Sequence, residues 1–239
     1  MIADRDPRSM PLKEIRVLLF DVGGVLVQLS GVEVMLGWLG QALTLEEMWR
    51  MWLHSSPVRR FETGKIGAAE FASGVISEFG LPVEPQQFLQ AFVSWPTGLY
   101  PGTLEMLARI PRSYRRAILS NSNDLHWPRV KDDMGLGAAF DHHFVSHLTG
   151  RIKPDAEAFA HVVESLGCTP AEVLFLDDNT INVEAAQRFG MQAYRVHGAA
   201  GTHRVLADLG IIDRNGDAQS LPPAPAAPAP PAAPPPATR

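Results

Sequence analysis

Leu18-Leu-Phe-Asp-Val-Gly-Gly-Val-Leu-Val27 is an apolar run interrupted by one carboxylate, Asp21, with two glycines close behind it. The segment from Ile15 to Phe20 is mostly apolar, partly β-branched and too short for a helix, so it predicts a buried strand. Asp21 then falls where that strand leaves the sheet. In open α/β sheets the carboxyl ends of parallel strands are where ligands bind, and glycines there admit close approach of backbone to a bound group. Taken alone the motif is equally a strand followed by a Gly-Gly turn with an incidental acid. Its neighbours decide.

From about Leu29 to Leu99 no stretch reads as a strand and several read as helices. Thr44 with Glu47 forms a capping box, and Ser56-Pro57 reads as an N-cap followed by proline at the first helical position. A helix from about Gly67 to Phe79 stops at Gly80 with Phe71, Val75 and Phe79 on one stripe. Pro85 opens another helix, carrying Phe88, Leu89 and Phe92. This block predicts an α-helical insert of the kind that acts as a lid. From Pro101 helix and strand alternate, the pattern of parallel βαβ units. Strands are expected at Ala117 to Asn123, His143 to Ser146, Glu172 to Leu176 and Gln192 to Val196. Two of them end in polar side chains, Ser120-Asn121 and Asp177-Asp178. Beyond about Asp213 the composition changes, and from Pro222 nearly every residue is proline or alanine, which predicts an extended or disordered tail. The expected organisation is a core of residues 13–28 and 100–213, a helical insert over 29–99 and a tail over 214–239.

The 239 residues carry 46% apolar and 20% charged side chains, an ordinary globular composition with ample material for a core. A net charge of -5 without a basic block excludes the electrostatic footprint of nucleic-acid binding. The single cysteine, Cys168, allows neither an internal disulfide nor a cysteine metal site. The N-terminal residues lack the apolar stretch of a signal peptide, and no apolar run is long enough to span a membrane. The expectation is a soluble cytoplasmic protein. Its oligomeric state is not encoded in any feature of the sequence.

Set on neighbouring strand ends, Asp21, Ser120 with Asn121, Lys153 and the pair Asp177-Asp178 converge on one rim. Three carboxylates brought together repel and require a counter-charge. A hard divalent cation with oxygen ligands meets that need, and Mg²⁺ leaves positions for water and substrate phosphate. Lys153 suits a phosphate oxygen, and Ser120 with the backbone amides near Asn121 offers hydrogen bonds. These parts describe phosphoryl transfer: one carboxylate attacks phosphorus, the cations offset the charge on the equatorial oxygens, and water hydrolyses the aspartyl phosphate.

The segments Asp21-Val-Gly-Gly-Val, Leu119-Ser-Asn-Ser-Asn, Lys153-Pro-Asp and Phe175-Leu-Asp-Asp-Asn-Thr-Ile-Asn resemble the four ordered motifs of the haloacid dehalogenase superfamily, over about Ile15 to Val196. With its insert after the first motif, the chain is similar to the subgroup containing glucose-1-phosphate phosphatases and the phosphatase domain of soluble epoxide hydrolases. The resemblance implies an α/β fold, a Rossmann-like parallel sheet of strand order 5-4-1-2-3 with an α-helical cap inserted after strand 1. It implies Asp21 as nucleophile and Mg²⁺ ligand, the Gly23 carbonyl and Asp178 as further ligands, and Lys153 as the cationic catalytic group. Asp177 precedes Asp178 on a pleated strand and so is expected to point elsewhere. With Asn182 it is assigned to orienting Lys153 or a water on the metal.

Gly23 departs from the pattern, because most phosphatases of this superfamily carry there an aspartate that serves as general acid and base. Glycine also stands there in the glucose-1-phosphate phosphatase subgroup, so activity is retained by resemblance while proton transfer is left unassigned. A cap residue, a metal-bound water or a good leaving group are the candidates. His126 is a candidate pocket residue beside Ser120 and Asn121, weighed against a capping role. Arg60 and Glu62, in the insert, are weighed between reaching the substrate and standing as solvated helix charges, and the second is the expectation. The leading expectation is a Mg²⁺-dependent phosphomonoester hydrolase acting on a small phosphorylated metabolite, with a sugar phosphate among the candidates. The alternatives are a 2-haloacid dehalogenase-type hydrolase, which needs no metal, and a non-catalytic phosphate-binding protein.

Overall fold

Val17–Phe20 forms strand β1, and its four side chains divide between two cores. Leu18 and Phe20 face one apolar cluster, and Val17 and Leu19 face the other. That division follows from the period of two along a strand, and burial on both faces explains why the run carries no polar alternation. The computed structural model of the chain describes residues 15–40 and 44–213. The tail expected over 214–239, the N-terminal segment and the start of the core expected at residue 13 lie outside the described residues.

β1 pairs in parallel with β4 (Arg115–Ser120) on one side and β6 (Val173–Asp177) on the other. β5 (His142–Val145) adds to β4 and β7 (Gln192–Arg195) adds to β6, giving the order β5-β4-β1-β6-β7. Read from the β7 edge and numbered among the five parallel strands alone, this is the 5-4-1-2-3 order expected. Phe20 lies opposite both Ile118 and Leu176, so the residues that follow these three positions emerge on one rim. One face is covered by α6 (Thr103–Ala108) and α11 (Gly198–Asp208), whose Met106, Leu107 and Leu206 pack on Leu18 and Phe20. The other is covered by α9 (Ala156–Leu166) and α10 (Thr180–Phe189) through Phe159, Val162, Val183 and Ala186. Short helices α7 (Leu136–Ala139) and α8 (Ser146–Thr149) flank β5.

Between β1 and α6 lie five helices: α1 (Gly31–Trp38), α2 (Leu45–His54), α3 (Ser56–Glu62), α4 (Ala68–Phe79) and α5 (Pro85–Val93). They share an apolar cluster of their own, in which Trp52 contacts Phe71, Phe79, Phe92 and Trp95. The Thr44–Glu47 capping box is present, and Gly80 closes α4 with φ +63, a left-handed conformation that glycine adopts at no steric cost. Two local expectations are corrected. The cap of α3 is Ser55, whose hydroxyl accepts the Val58 N–H, and Ser56 is already helical. The segment expected to hold no strand contributes β3 (Pro96–Leu99), which pairs antiparallel with β2 (Val27–Leu29). Pro96-Thr-Gly-Leu carries no alternation, and its pairing depends on a partner distant in sequence.

The start of α1 sits hard against the residue that precedes β3. A Cβ built on Gly31 lies 2.2 Å from the Trp95 ring, which is buried and has little room to retreat. Helix propensity alone predicts that Gly31→Ala stabilises by about 1 kcal/mol, whereas overpacking against the indole costs on the order of 1–3 kcal/mol. The expected outcome is a lower urea midpoint for Gly31→Ala, and a higher midpoint would show that Trp95 yields freely.

Candidate active site

The rim of the sheet brings four of the expected groups together. Asp21 follows β1, and its N–H donates to the Leu176 carbonyl at 2.8 Å, which seats it beside the end of β6. Asp177 is the last residue of β6 and is fully buried. Lys153 lies on the loop before α9, also buried, and its ammonium reaches Asp21 Oδ1 at 2.8 Å and Asp177 Oδ2 at 2.7 Å. Asp178 completes the group: oxygens of Asp21, Asp177 and Asp178 lie within 4.8 Å of one another.

Partners around this cluster are specific. Asn182, on the first turns of α10, donates to both Asp177 oxygens at 3.1 Å, and the Asn179 N–H donates to Asp177 Oδ1 at 2.8 Å. Asn121 turns its side-chain amide toward Lys153, accepting from its N–H at 2.9 Å and donating to its carbonyl at 3.0 Å. The Asn121 side chain is therefore spent on the backbone that carries the lysine. Ser120 is buried, and its hydroxyl makes only a long 3.5 Å contact to the Asn121 carbonyl.

His126 stands apart from the carboxylates. Its Nε2 lies 2.6 Å from the Phe92 carbonyl, Nδ1 lies 3.3 Å from the Asn123 amide, and the ring stacks on Phe92 at 4.3 Å. Burial pushes its pKa down to about 4, so the neutral ring ties α5 to the loop after β4. That capping role was the alternative weighed against a pocket role, and the ring nitrogens have their partners within the protein.

Electrostatics set what the cluster can hold. Burial raises the pKa of Asp21, and Asp177 adds to this while Lys153 opposes it. Asp178 is raised by burial and by the charges of Asp21 and Asp177. Burial works against the Lys153 ammonium, yet Asp177 and Asp21 hold it well above the ordinary lysine range. One ammonium against three carboxylates leaves surplus negative charge in an all-oxygen donor set. A hard divalent cation fits such a set. Gly24 permits it: its φ is +71, and a Cβ there would stand 2.0 Å from Asp178 Oδ2. Only glycine lets the Asp178 carboxylate come so close to this turn. At Gly23 a Cβ would stand 2.6 Å from Leu29 Cδ1, so Leu29 occupies the space a side chain at 23 would enter.

A fourth carboxyl belongs to this neighbourhood. Glu62, at the end of α3, reads in the sequence as a solvated helix charge, but it is only 8% exposed, and Trp52 lies close enough to favour its ionised form. Arg60 does behave as expected, exposed and paired with Glu70 at 2.9 Å. Burial raises Glu62 to about 7, partly offset by the Trp52 hydrogen bond and by the charges of Lys153 and Arg59, with Asp21 pushing it further up. The signal that separates the two residues in sequence is the 3.6-residue period, which sets Glu62 one step from buried Phe61 and four from buried Val58.

Residues 15–190 match the haloacid dehalogenase-like hydrolase family, and the chain belongs to it. It is 22% identical over 199 residues to D-ribitol-5-phosphate phosphatase of Bacteroides thetaiotaomicron, covering 80% of this chain and 97% of that protein. A HAD family enzyme from Bacteroides thetaiotaomicron, solved in complex with magnesium and inorganic phosphate, superposes with a TM-score of 0.60 at 29% identity, over 77% of this chain and 95% of that one. The L-2-haloacid dehalogenase of Xanthobacter autotrophicus superposes with a TM-score of 0.55 at 26% identity, over 76% and 77% of the two chains. Among the described residues no helix is long and apolar enough to cross a membrane.

Glu62 supplies a stability test. Its pKa rises on folding from the ordinary 4.5 to about 7, so its protonated form contributes stability that is present below pH 4.5 and lost as pH rises through 7. Glutamine keeps an acceptor for Trp52 and cannot ionise. Glu62→Gln is expected to gain on the parent between pH 5 and 8.5, by at most about 3 kcal/mol at 1.36 kcal/mol per pKa unit, measured by urea unfolding. A pH-independent offset would show that the carboxyl ionises freely.

Proposed function

We propose that the chain is a Mg²⁺-dependent phosphomonoester hydrolase acting on a small phosphorylated metabolite, a sugar phosphate among the candidates, through an aspartyl-phosphate intermediate. The observation that carries this reading is the buried ammonium of Lys153 bridging Asp21 and Asp177 while Asp178 joins the same oxygen cluster. A nucleophilic carboxylate held by a fixed cation, with room for a second cation, is the electrostatic arrangement that phosphoryl transfer requires.

In this reading Asp21 attacks phosphorus, and the ester oxygen leaves on the opposite side. Lys153 holds the attacking carboxylate in position and offsets charge on the phosphoryl oxygens. The Ser120 hydroxyl and the backbone amide of Asn121 donate to the phosphate, the Asn121 side chain being engaged with Lys153. Asp177 and Asn182 fix the ammonium. Mg²⁺ would be held by Asp21, Asp178 and the Gly23 carbonyl, and when bound it offsets the carboxylate repulsion and polarises the phosphoryl group. Helices α1 to α5, within residues 29–99, are assigned as the cap over a core of 13–28 and 100–213. His126 in this reading fastens that cap to the core. The related Bacteroides phosphatase and the magnesium and phosphate in the Bacteroides structure support the substrate class and the cation. Displacement of halide needs no metal, so the carboxylate cluster favours phosphate over a haloacid.

The test compares the parent with Asp21→Asn on an activated aryl phosphate and a panel of sugar phosphates, with Mg²⁺ and with chelator, alongside a 2-haloacid. The expected result is phosphate release that chelator abolishes and that Asp21→Asn lowers by at least about 10³-fold, as removal of a nucleophile does. Metal-independent halide release would identify a dehalogenase, phosphate binding without turnover would identify a binding protein, and turnover unaffected by Asp21→Asn would sink the nucleophile.

A further inference from the structure

Glycine at position 23 leaves the site without the acid that protonates a departing alkoxide, and Leu29 fills the space such a side chain would enter. The proton must come from another group. Asp177 is taken by Lys153, Asn182 and the Asn179 N–H. Lys153 is held charged between two carboxylates. Asp178 belongs to the proposed cation site, and His126 has both ring nitrogens engaged. Among the described residues, Glu62 is the buried carboxyl that feels both Asp21 and Lys153 without belonging to their cluster.

Its position is built. Arg59, three residues earlier on α3, pairs with Asp155, the N-cap of α9 and two residues beyond Lys153. On the other side of Glu62, a Cβ on Gly64 would stand 2.8 Å from the His147 carbonyl, so the turn after α3 lies directly on α8. The end of α3 is thereby fastened twice to the core segment that carries the lysine. Trp52 lies near the carboxyl and stacks with Phe92 at 6.3 Å, and Phe92 stacks with His126 at 4.3 Å. An aromatic wall thus runs from α2 through α5 to the core beside the end of α3. The groups acting on the Glu62 carboxyl are Arg59 on its own helix, Trp52 on α2, and Lys153 and Asp21 on the core.

We propose that Glu62 is the general acid and base of this site, supplied by the helical insert in place of a side chain at position 23. The proposal rests on the phosphatase reading above. In the first step an Asp21 oxygen forms a bond to phosphorus, the bond from phosphorus to the ester oxygen breaks, and that oxygen takes the Glu62 proton to leave as an alcohol. In the second, the Glu62 carboxylate takes a proton from water as the water oxygen attacks phosphorus. The bond from phosphorus to Asp21 breaks, phosphate leaves, and both carboxyl groups return to their starting states. Its burial keeps Glu62 partly protonated near neutral pH, where an acid-base group is most effective.

The experiment compares kcat/KM of the parent and Glu62→Gln on two esters, an alkyl phosphate whose leaving group needs a proton and an activated aryl phosphate whose leaving group does not, in Mg²⁺ across pH 5 to 9. Because kcat/KM reports events up to departure of the leaving group, the loss on the alkyl ester is expected to exceed that on the aryl ester by about 10²-fold or more, within the usual range of general acid catalysis. The parent's alkyl profile should fall as pH rises through Glu62's titration, and this limb should vanish in the variant. An infrared difference spectrum of parent minus variant at pH 5.5 should show the carbonyl band of a protonated carboxyl. Equal losses on the two esters, with both enzymes folded at pH 5, would reduce Glu62 to a packing role and overturn the proposal while leaving the phosphatase intact. A parent that cleaves neither ester would remove the phosphatase reading and the proton donor with it.

Discussion

Lys153 sits almost wholly buried between Asp21 and Asp177, and the rest of the site depends on that ammonium. A charge buried at this depth persists only where its partners are fixed, because removing one member of a buried pair costs about 3–5 kcal/mol. The fixing is visible at each partner. β1 and β6 deliver Asp21 and Asp177 side by side, Asn182 holds Asp177 from α10, and the Asn121 side chain grips the backbone of Lys153 from the end of β4. Three parallel strands and one helix thus converge on one cation. The fold is what makes the geometry affordable, since parallel strands bring their carboxyl ends to one rim without any loop having to cross.

The helical insert joins the same network at its edge. Arg59 pairs with Asp155 beside Lys153, and His126 reaches the Phe92 carbonyl from the core side. The first of these contacts stands beside Lys153, so movement of the insert would alter the surroundings of Asp21. The void left at Gly23 is filled by Leu29, from the β2 strand that pairs with β3 at the other end of the insert.

Much of this was legible in the chain itself. The alternation of apolar strands and amphipathic helices after Pro101, and the acids and amides closing three of the strands, are local signals, and they put Asp21, Lys153, Asp177 and Asp178 in one cluster, where the structure has them, while Asn182 follows only from the family resemblance. What could not be read is what depends on distant partners. Pro96–Leu99 becomes a strand only because Val27–Leu29 lies beside it. Glu62 is buried among groups of another helix and of the core, and α11 opens on Gly-Ala-Ala-Gly, which announces no helix. The hold of the Asn121 side chain on the backbone of Lys153 likewise joins residues distant in sequence.

The central claim is that Asp21 itself carries the phosphoryl group during turnover. Rapid acid quench of the Mg²⁺-loaded enzyme with an aryl phosphate, followed by proteolysis and mass analysis of the peptide spanning Asp21, tests it directly. The account predicts a phosphoryl group on Asp21 in the quenched parent. Turnover with that peptide unmodified and the phosphoryl group on another residue would contradict it.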